Sequence, residues 1–450
     1  MDNKLFIPLE KCHFFNVVCI DEVGEVFEWK GKILRGITEE AKPLVDRYFT
    51  SGFLDYIVKK GMFPKTEISA YTNPKYCYIL EHEKVELQTI DAEWSFDMLK
   101  DAALLVCEIA AVAWRYGFNM KDCHTKNVLF KDNKPIYVDL GSFVNIEEGI
   151  SGFKSYDQIL SYYYYVLRLW SDGCVSLPKQ LQCLYRFEKR DYLLYKYPLY
   201  RHLGKVLNVK CELEEKLFLL TIVPFSTPAV QKSKITKLLW KLVNKYKIFN
   251  WQRTNTFVRR IDKIETPNSL KNKKQETRRF SLSKGNKALC EVGKNIVIVN
   301  PSCYDFLEAT FDQYNDKNII TIDVDDRTGN TNYLKYKSSN YRITNLSFNL
   351  CYPLLHYNYQ TPPCKRLKAN TFIIVNPVDI VEGMRKPVVV LYKTLLDYDF
   401  DTMVVIEDKG THYGEDEERA IAKWYVQQGE YEEGDFIVKR LKKNEDNKIN

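Results

Sequence analysis

Apolar and polar residues change rhythm twice along this chain. Between residues 14 and 37 they keep the two-residue period of strands: apolar runs at 14–20, 26–29 and 33–37 are separated by Asp21-Glu22-Val23-Gly24 and Lys30-Gly31-Lys32. Turn residues between such runs predict three antiparallel strands. Thr38 suits the cap of a helix beginning near Glu39-Glu40-Ala41, and a second helical stretch at 52–60 ends at Gly61. Residues 75–83 read as a buried strand running into a connector. The rhythm then turns helical. Phe96, Leu99, Ala103, Val106, Ala110 and Ala113 recur at helical spacing, with Ser95 ahead and Gly117 behind, which predicts a helix over 95–116. Two short apolar runs, 128–130 and 136–138, flank Lys131-Asp132-Asn133-Lys134-Pro135 and predict a hairpin. Helical patterns at 156–170, 177–190 and 213–222 follow, closed by Pro224 and Pro228.

The second change comes near residue 295. Buried-strand patterns at 296–299, 319–322, 371–375, 403–406 and 436–438 alternate with helical stretches at 303–314 and 388–397. Short apolar strands separated by helices predict an α/β unit with a mostly parallel sheet. Between the two units, residues 230–248 form an amphipathic basic helix. Ile235, Leu238, Leu239, Leu242 and Tyr246 lie on one face, and Lys234, Lys237, Lys241 and Lys245 lie off it. Residues 250–290 are polar and basic and read as a connector.

Length and composition narrow this further. At 450 residues two or three domains are expected. A hydrophobic content of 45% with 28% charged residues excludes a disordered chain. The net charge of +7 is local: residues 229–294 hold 18 basic and 4 acidic side chains, so the remainder is acidic on balance. Nucleic-acid binding by that segment would rest on charge alone, and a solvated linker is the expectation. Its apolar stripe is expected to pack on a neighbouring domain, with contact to an anionic membrane surface as the alternative. The 12 cysteines form no CxxC pair, which signals neither a zinc site nor a disulfide framework and fits reduced, cytoplasmic thiols. The N-terminal residues lack a signal-peptide pattern, and no run of 18 apolar residues suggests a membrane span.

The densest chemistry lies at 121–142. Asp122, His124 and Asn127 form an Asp-x-His-x-x-Asn run, and Asp139-Leu140-Gly141 follows twelve residues after Asn127. A hairpin between them would bring two carboxylates and a carboxamide to one end, as metal-assisted phosphoryl transfer requires. The spacing resembles the catalytic loop and metal-binding motif of protein-kinase-like phosphotransferases, closest to the aminoglycoside and choline kinase branch. The strand, helix and strand order before it resembles the small lobe of that fold. By this resemblance Asp122 would receive or orient the attacking hydroxyl, and Asn127 and Asp139 would hold magnesium ions bridging the phosphates of ATP. Arg35 stands where the phosphate-binding lysine would be sought, with Glu39 or Glu40 as its partner. No Gly-x-Gly-x-x-Gly loop precedes it; Gly24 and Gly31 stand alone. Two plainer readings stay open: Asn127 and Asp139 as turn and cap residues of a hairpin, and Arg35 as a buried structural ion pair. His124 reads as a loop-packing residue.

A second resemblance covers more of the chain. Leu80-Glu81-His82-Glu83, the run 94–105 (WSFDMLKDAALL) and Lys121-Asp122 resemble a bacterial family in which a kinase-like region precedes a class I S-adenosylmethionine methyltransferase domain. Members are often labelled nodulation or methyltransferase proteins, and some are associated with surface glycans. The resemblance implies a multidomain α+β and α/β protein: a bilobal kinase-like domain over 1–228 (small lobe about 14–90, large lobe about 91–228), the basic helix and linker over 229–290, and a Rossmann-like methyltransferase domain over 291–450. It also implies that Asp323, closing the second strand, binds the ribose hydroxyls of S-adenosylmethionine. The expected glycine-rich turn is replaced by Asn300-Pro301-Ser302-Cys303-Tyr304-Asp305, so the methyltransferase end looks degenerate. The expected function is therefore ATP- and magnesium-dependent phosphoryl transfer to a small-molecule or glycan hydroxyl. The alternatives are a divergent methyltransferase on a kinase-like scaffold, or a non-catalytic binding module.

Overall fold

The computed structural model describes residues 5–15, 23–146, 157–174, 177–179, 187–196, 261–271, 280, 287–351, 362–382 and 384–444. The expected helices at 213–222 and 230–248, most of the basic connector and 180–186 of the 177–190 stretch lie outside the described residues.

Most of the first expected strand, 14–20, lies outside the described residues; the expected strands at 26–29 and 33–37, the second helix and the strand within 75–83 follow in order, with three short strands that the rhythm did not predict. Strands β1 (Leu5–Phe6), β2 (His13–Phe14), β3 (Gly24–Trp29), β4 (Lys32–Ile37), β5 (Thr66–Ile68), β6 (Tyr71–Thr72) and β7 (Tyr78–His82) surround helices α1 (Lys42–Thr50) and α2 (Phe53–Lys59). Five strands form one antiparallel sheet in the order β2-β3-β4-β7-β5, and β1 pairs with β6. Lys30 and Gly31 both take positive φ, so β3 and β4 meet in a two-residue turn whose twist matches the strands. The Thr38 hydroxyl accepts the Ala41 amide, but α1 begins at Lys42, one turn later than the sequence suggested.

Helix α3 (Phe96–Arg115) is apolar nearly all round. Besides the predicted stripe it buries Met98, Ala102, Leu105, Cys107, Ile109 and Val112, which a helix does when neighbours cover it on several sides. It delivers the chain to β8 (Phe118–Met120), β9 (Val128–Lys131), β10 (Lys134–Tyr137) and β11 (Phe143–Asn145). β9 and β10 form the expected hairpin, turning at Asp132 and Asn133, both left-handed, while β8 pairs with β11. A π-helical stretch, Ile159–Tyr164, runs into α4 (Tyr165–Ser171) and packs on α3; α5 (Lys189–Lys196) follows.

The C-terminal unit is a seven-stranded sheet with the order β14-β13-β12-β15-β16-β18-β17. Its strands are β12 (Asn295–Val299), β13 (Asn318–Asp323), β14 (Ile343–Ser347), β15 (Lys368–Val375), β16 (Asp399–Asp408), β17 (Tyr425–Glu433) and β18 (Phe436–Lys443). β12 to β16 run parallel, and β18 and β17 close the sheet as an antiparallel hairpin. Helices α6 (Asp326–Tyr336), α7 (Val389–Leu395) and α8 (Glu415–Trp424) lie between strands. Ile296 to Val299 are buried on both faces, as a covered parallel strand must be. The chain winds outward from β12 to β14, then returns to start β15 on the other side of β12. This is a Rossmann-like, doubly wound sheet whose order reverses between β12 and β15.

The two units are joined through α6. Asn330 and Asp97 exchange two hydrogen bonds, the Asn330 carboxamide accepting the Asp97 amide and donating to its carboxylate, both at 2.8 Å. The Tyr333 hydroxyl and the Lys337 ammonium both donate to Asp101 at 2.7 Å. Residues 330, 333 and 337 share one face of α6, which therefore lies along α3. In the hairpin turn, Asn133 pairs with Asn345 of β14, donating at 2.6 Å and accepting its amide at 2.8 Å. Arg366 forms a forked pair with Glu93, both nearly inaccessible. Lys179 donates to the Trp94 and Ser347 carbonyls at 2.6 and 2.9 Å. One apolar cluster runs continuously from Trp94 and Phe130 to Tyr333 and Phe372.

Candidate functional site

Arg35, Asn127 and Asp139 are brought together from β4, the loop before β9 and the loop after β10. The Arg35 guanidinium lies 3.8 Å from Asp139 Oδ1, with the arginine side chain 4% and the aspartate 28% exposed. Glu39 and Glu40 are exposed, so the ion pair Arg35 makes here is with Asp139 rather than with the start of α1. Asp139 Oδ1 also accepts the Gly141 amide at 3.0 Å; its Oδ2 accepts the Ser142 hydroxyl, and the Asn127 carboxamide at 3.2 Å. Asp122 is held from behind: Gln158 donates to its Oδ1 at 3.0 Å and accepts the Cys123 amide at 2.6 Å, and Tyr137 donates to its carbonyl at 2.6 Å. His124 faces both Asp122 and Asp139, yet burial dominates and pushes its pKa down, consistent with a packing residue.

One carboxylate and one carboxamide would leave most of a magnesium ion's octahedron to water and phosphate oxygens. Among the described residues no three His, Cys, Asp or Glu side chains gather as a metal site. Asp139 and Asn127 are instead hydrogen-bonded to each other, and Arg35 neutralises part of the aspartate's charge.

Asp323 lies in the other unit, at the carboxyl end of β13, next to the end of β12. Open α/β sheets bind ligands at this end, where the strand order reverses. Four chain segments meet there. Asn300, following β12, donates to the Val375 carbonyl at 3.1 Å and so spans the reversal. The Tyr304 hydroxyl donates to Asp408 at the end of β16 at 2.8 Å, and its ring packs on Phe436 with centroids 4.6 Å apart. The Cys303 thiol donates to Asp379 at 3.5 Å; burial raises both groups, the thiol to about 12.

The acid itself is sealed. Asp323 has no exposed surface. The Ser302 hydroxyl donates to Oδ1 at 3.0 Å and the Asn332 carboxamide to Oδ2 at 2.8 Å. Asn332 also donates to the Ser302 hydroxyl oxygen at 2.8 Å, closing a triangle. Burial pushes the Asp323 carboxyl up to about 7 against the pull of these donors.

The 300–305 turn keeps the backbone shape that glycine would allow, without glycine. Asn300, Tyr304 and Asp305 take φ of 60°, 59° and 51°. Such angles are uncommon for asparagine and aspartate and strained for tyrosine. Sequence reasoning found Asp323 but neither donor. Ser302 lay in the turn already singled out, whereas Asn332 follows Asp323 by nine residues in a stretch without apolar rhythm.

No protein-family model matches the chain. It is 27% identical over 124 residues to nodulation protein NoeA of Rhizobium meliloti (strain 1021), covering 26% of each protein. The chain thus spans about a quarter of that curated relative. Among solved structures, the 16S rRNA methylase RmtB is similar at 13% identity and a TM-score of 0.25, over 34% of this chain and 56% of that one. M. capricolum TrmK, in complex with S-adenosyl-homocysteine, is similar at 15% identity and a TM-score of 0.23, over 36% of this chain and 69% of that one. TM-scores of this size leave the fold to be argued from the strand order itself. These comparisons lend no support to a kinase-like region.

Proposed function

We propose that the C-terminal unit is a divergent methyltransferase domain of the S-adenosylmethionine-dependent kind, acting on a small-molecule or glycan acceptor, with the N-terminal unit docked against it as a scaffold. One observation carries this reading: a lone acid at the end of β13, beside a left-handed turn leaving β12, at the point where the sheet order reverses. Asp323 would take the ribose hydroxyls, and the 300–305 backbone would lie along the cofactor. When bound, the cofactor supplies an electrophilic methyl group. The chain supplies binding and exclusion of water; Asp408, at the end of β16, and Asp379, in the short helix after β15, would receive an acceptor hydroxyl. The test is isothermal titration of the full chain with S-adenosyl-homocysteine. Binding lost in Asp323→Ala supports the reading; no binding by the wild type overturns it.

A second reading rests on the meeting of Arg35, Asn127 and Asp139 above Asp122. A phosphotransferase using ATP and magnesium would place the metal on Asn127 and Asp139 and the acceptor hydroxyl at Asp122. Thermal stabilisation by ATP plus magnesium, lost in Asp139→Ala, is the expected signature. Stabilisation that survives Asp139→Ala sinks the metal assignment. A chain stabilised by neither ligand would be a binding module. For the 230–248 helix we keep peripheral contact with anionic membranes as a proposal, tested by co-sedimentation with anionic liposomes at low salt. No helix among the described residues is long and apolar enough to cross a membrane.

A further inference from the structure

We propose that Ser302 and Asn332 form an internal latch that imitates the two hydroxyls of a ribose and keeps the Asp323 site closed until a ribose displaces it. This rests on the methyltransferase reading and adds a regulation to it.

The chemistry of the match is specific. A vicinal diol presents two hydrogen-bond donors to the two oxygens of one carboxylate. Here one donor falls on each oxygen, Ser302 on Oδ1 at 3.0 Å and Asn332 on Oδ2 at 2.8 Å. Asp323 is fully buried, so a ligand reaches it only by displacing a donor. The two donors are also tied to each other at 2.8 Å, so losing one loosens the other.

The two halves of the latch sit on different elements. Asn332 sits on α6, which is fastened to α3 through Asn330 and Tyr333. Ser302 sits in a turn carrying three left-handed non-glycine residues. Strain of that kind persists only where the surroundings enforce it, and it lowers the cost of leaving the closed state. The same turn is tied to the sheet through Asn300 and Tyr304, so opening separates Ser302 from the carboxylate against those ties.

The test is isothermal titration of the full chain with S-adenosyl-homocysteine, adenosine and 2′-deoxyadenosine. Ser302→Ala removes one competing donor, and the expected result is roughly fivefold tighter binding of S-adenosyl-homocysteine than by the wild type. Adenosine should gain in the same way, and 2′-deoxyadenosine, with one hydroxyl fewer, should gain less. If Ser302→Ala folds poorly, Ser302→Gly serves instead, since it removes the same hydroxyl. Equal or weaker binding by the variant, with a wild type that binds, overturns the latch and leaves the methyltransferase reading standing. Binding by neither protein overturns both.

Discussion

A carboxyl group sealed from water favours its neutral form, and Asp323 carries that preference into the stability of the whole chain. An unfolded aspartate has a pKa of about 3.9, whereas burial holds the folded group up at about 7. Between those values the folded chain binds more protons than the unfolded one. Stability from this group is therefore full below about pH 4 and is lost as pH rises towards about 7. Asp323→Asn keeps the shape and removes the titration. In urea unfolding at about pH 5 and about pH 8, the wild type should lose more stability than the Asn variant, by on the order of 1 kcal/mol or more. Equal losses would mean that the carboxyl is solvated and the triangle open. At this scale the acid was legible in the sequence because it ends an apolar strand. Its donors were not, because a serine in a turn and an asparagine in a polar stretch carry no mark of the atom they face. Arg35 was half legible: its place among apolar neighbours was readable, its partner Asp139 more than a hundred residues away was not.

At the scale of elements, α6 shows why some helices escape a reading by rhythm. Its residues, DRTGNTNYLKY, hold few apolar side chains and a glycine. What stabilises it is the Asp325 side chain capping the Arg327 and Thr328 amides, and its docking on α3. Asn330→Ala would strip Asp97 of both an amide acceptor and a carboxylate donor. The expected cost is about 2 kcal/mol in chemical denaturation. A loss under 0.5 kcal/mol would place Asp97 in contact with water instead. Gly329 lets α6 approach β14: an added Cβ would lie 2.7 Å from the Ser347 Cβ. Gly329→Ala should therefore destabilise, by about 1–3 kcal/mol, although alanine is the better helix former. A stabilised Gly329→Ala protein would show that α6 can move off β14. Strand β14 was missed for a related reason: it is fully buried yet holds Thr344, Asn345 and Ser347. Asn345 is satisfied by Asn133 from the other unit and by Thr321, and Ser347 by Asp326. The α3 helix, the hairpin and the four inner strands were legible because their apolar spacing is local.

Across the whole molecule, the interface is where sequence reading stops, since its pairs are separated by more than 160 residues. The buried Glu93–Arg366 pair sets its energetics. Arg366→Met alone would leave Glu93 fully buried without its cation, at a cost of about 3–5 kcal/mol. Adding Glu93→Leu should return most of that stability, because two apolar groups replace two desolvated charges. Denaturation midpoints of the single and double variants decide it; a double variant no better than Arg366→Met would show that the pair holds more than its own charges in place. The order of strand units was readable in advance, and so was the reversal of rhythm near residue 295. That the units share one continuous core was not, because each looked able to bury its own faces.

The wedge formed by residues 261–271 has a practical meaning. Lys100 donates to the Asp262 and Ile264 carbonyls, Thr266 to Asp97, and Arg327 of α6 to the Ser269 carbonyl, so this stretch is gripped from both sides. A break in the chain ahead of residue 261 would leave these four hydrogen bonds in place. The chain should then behave as a split protein: two fragments produced in one cell find each other and co-elute, while either made alone presents a raw apolar face and precipitates. Reassembly of such fragments, scored by a reporter fused to each, would turn the grip between units into a selectable trait.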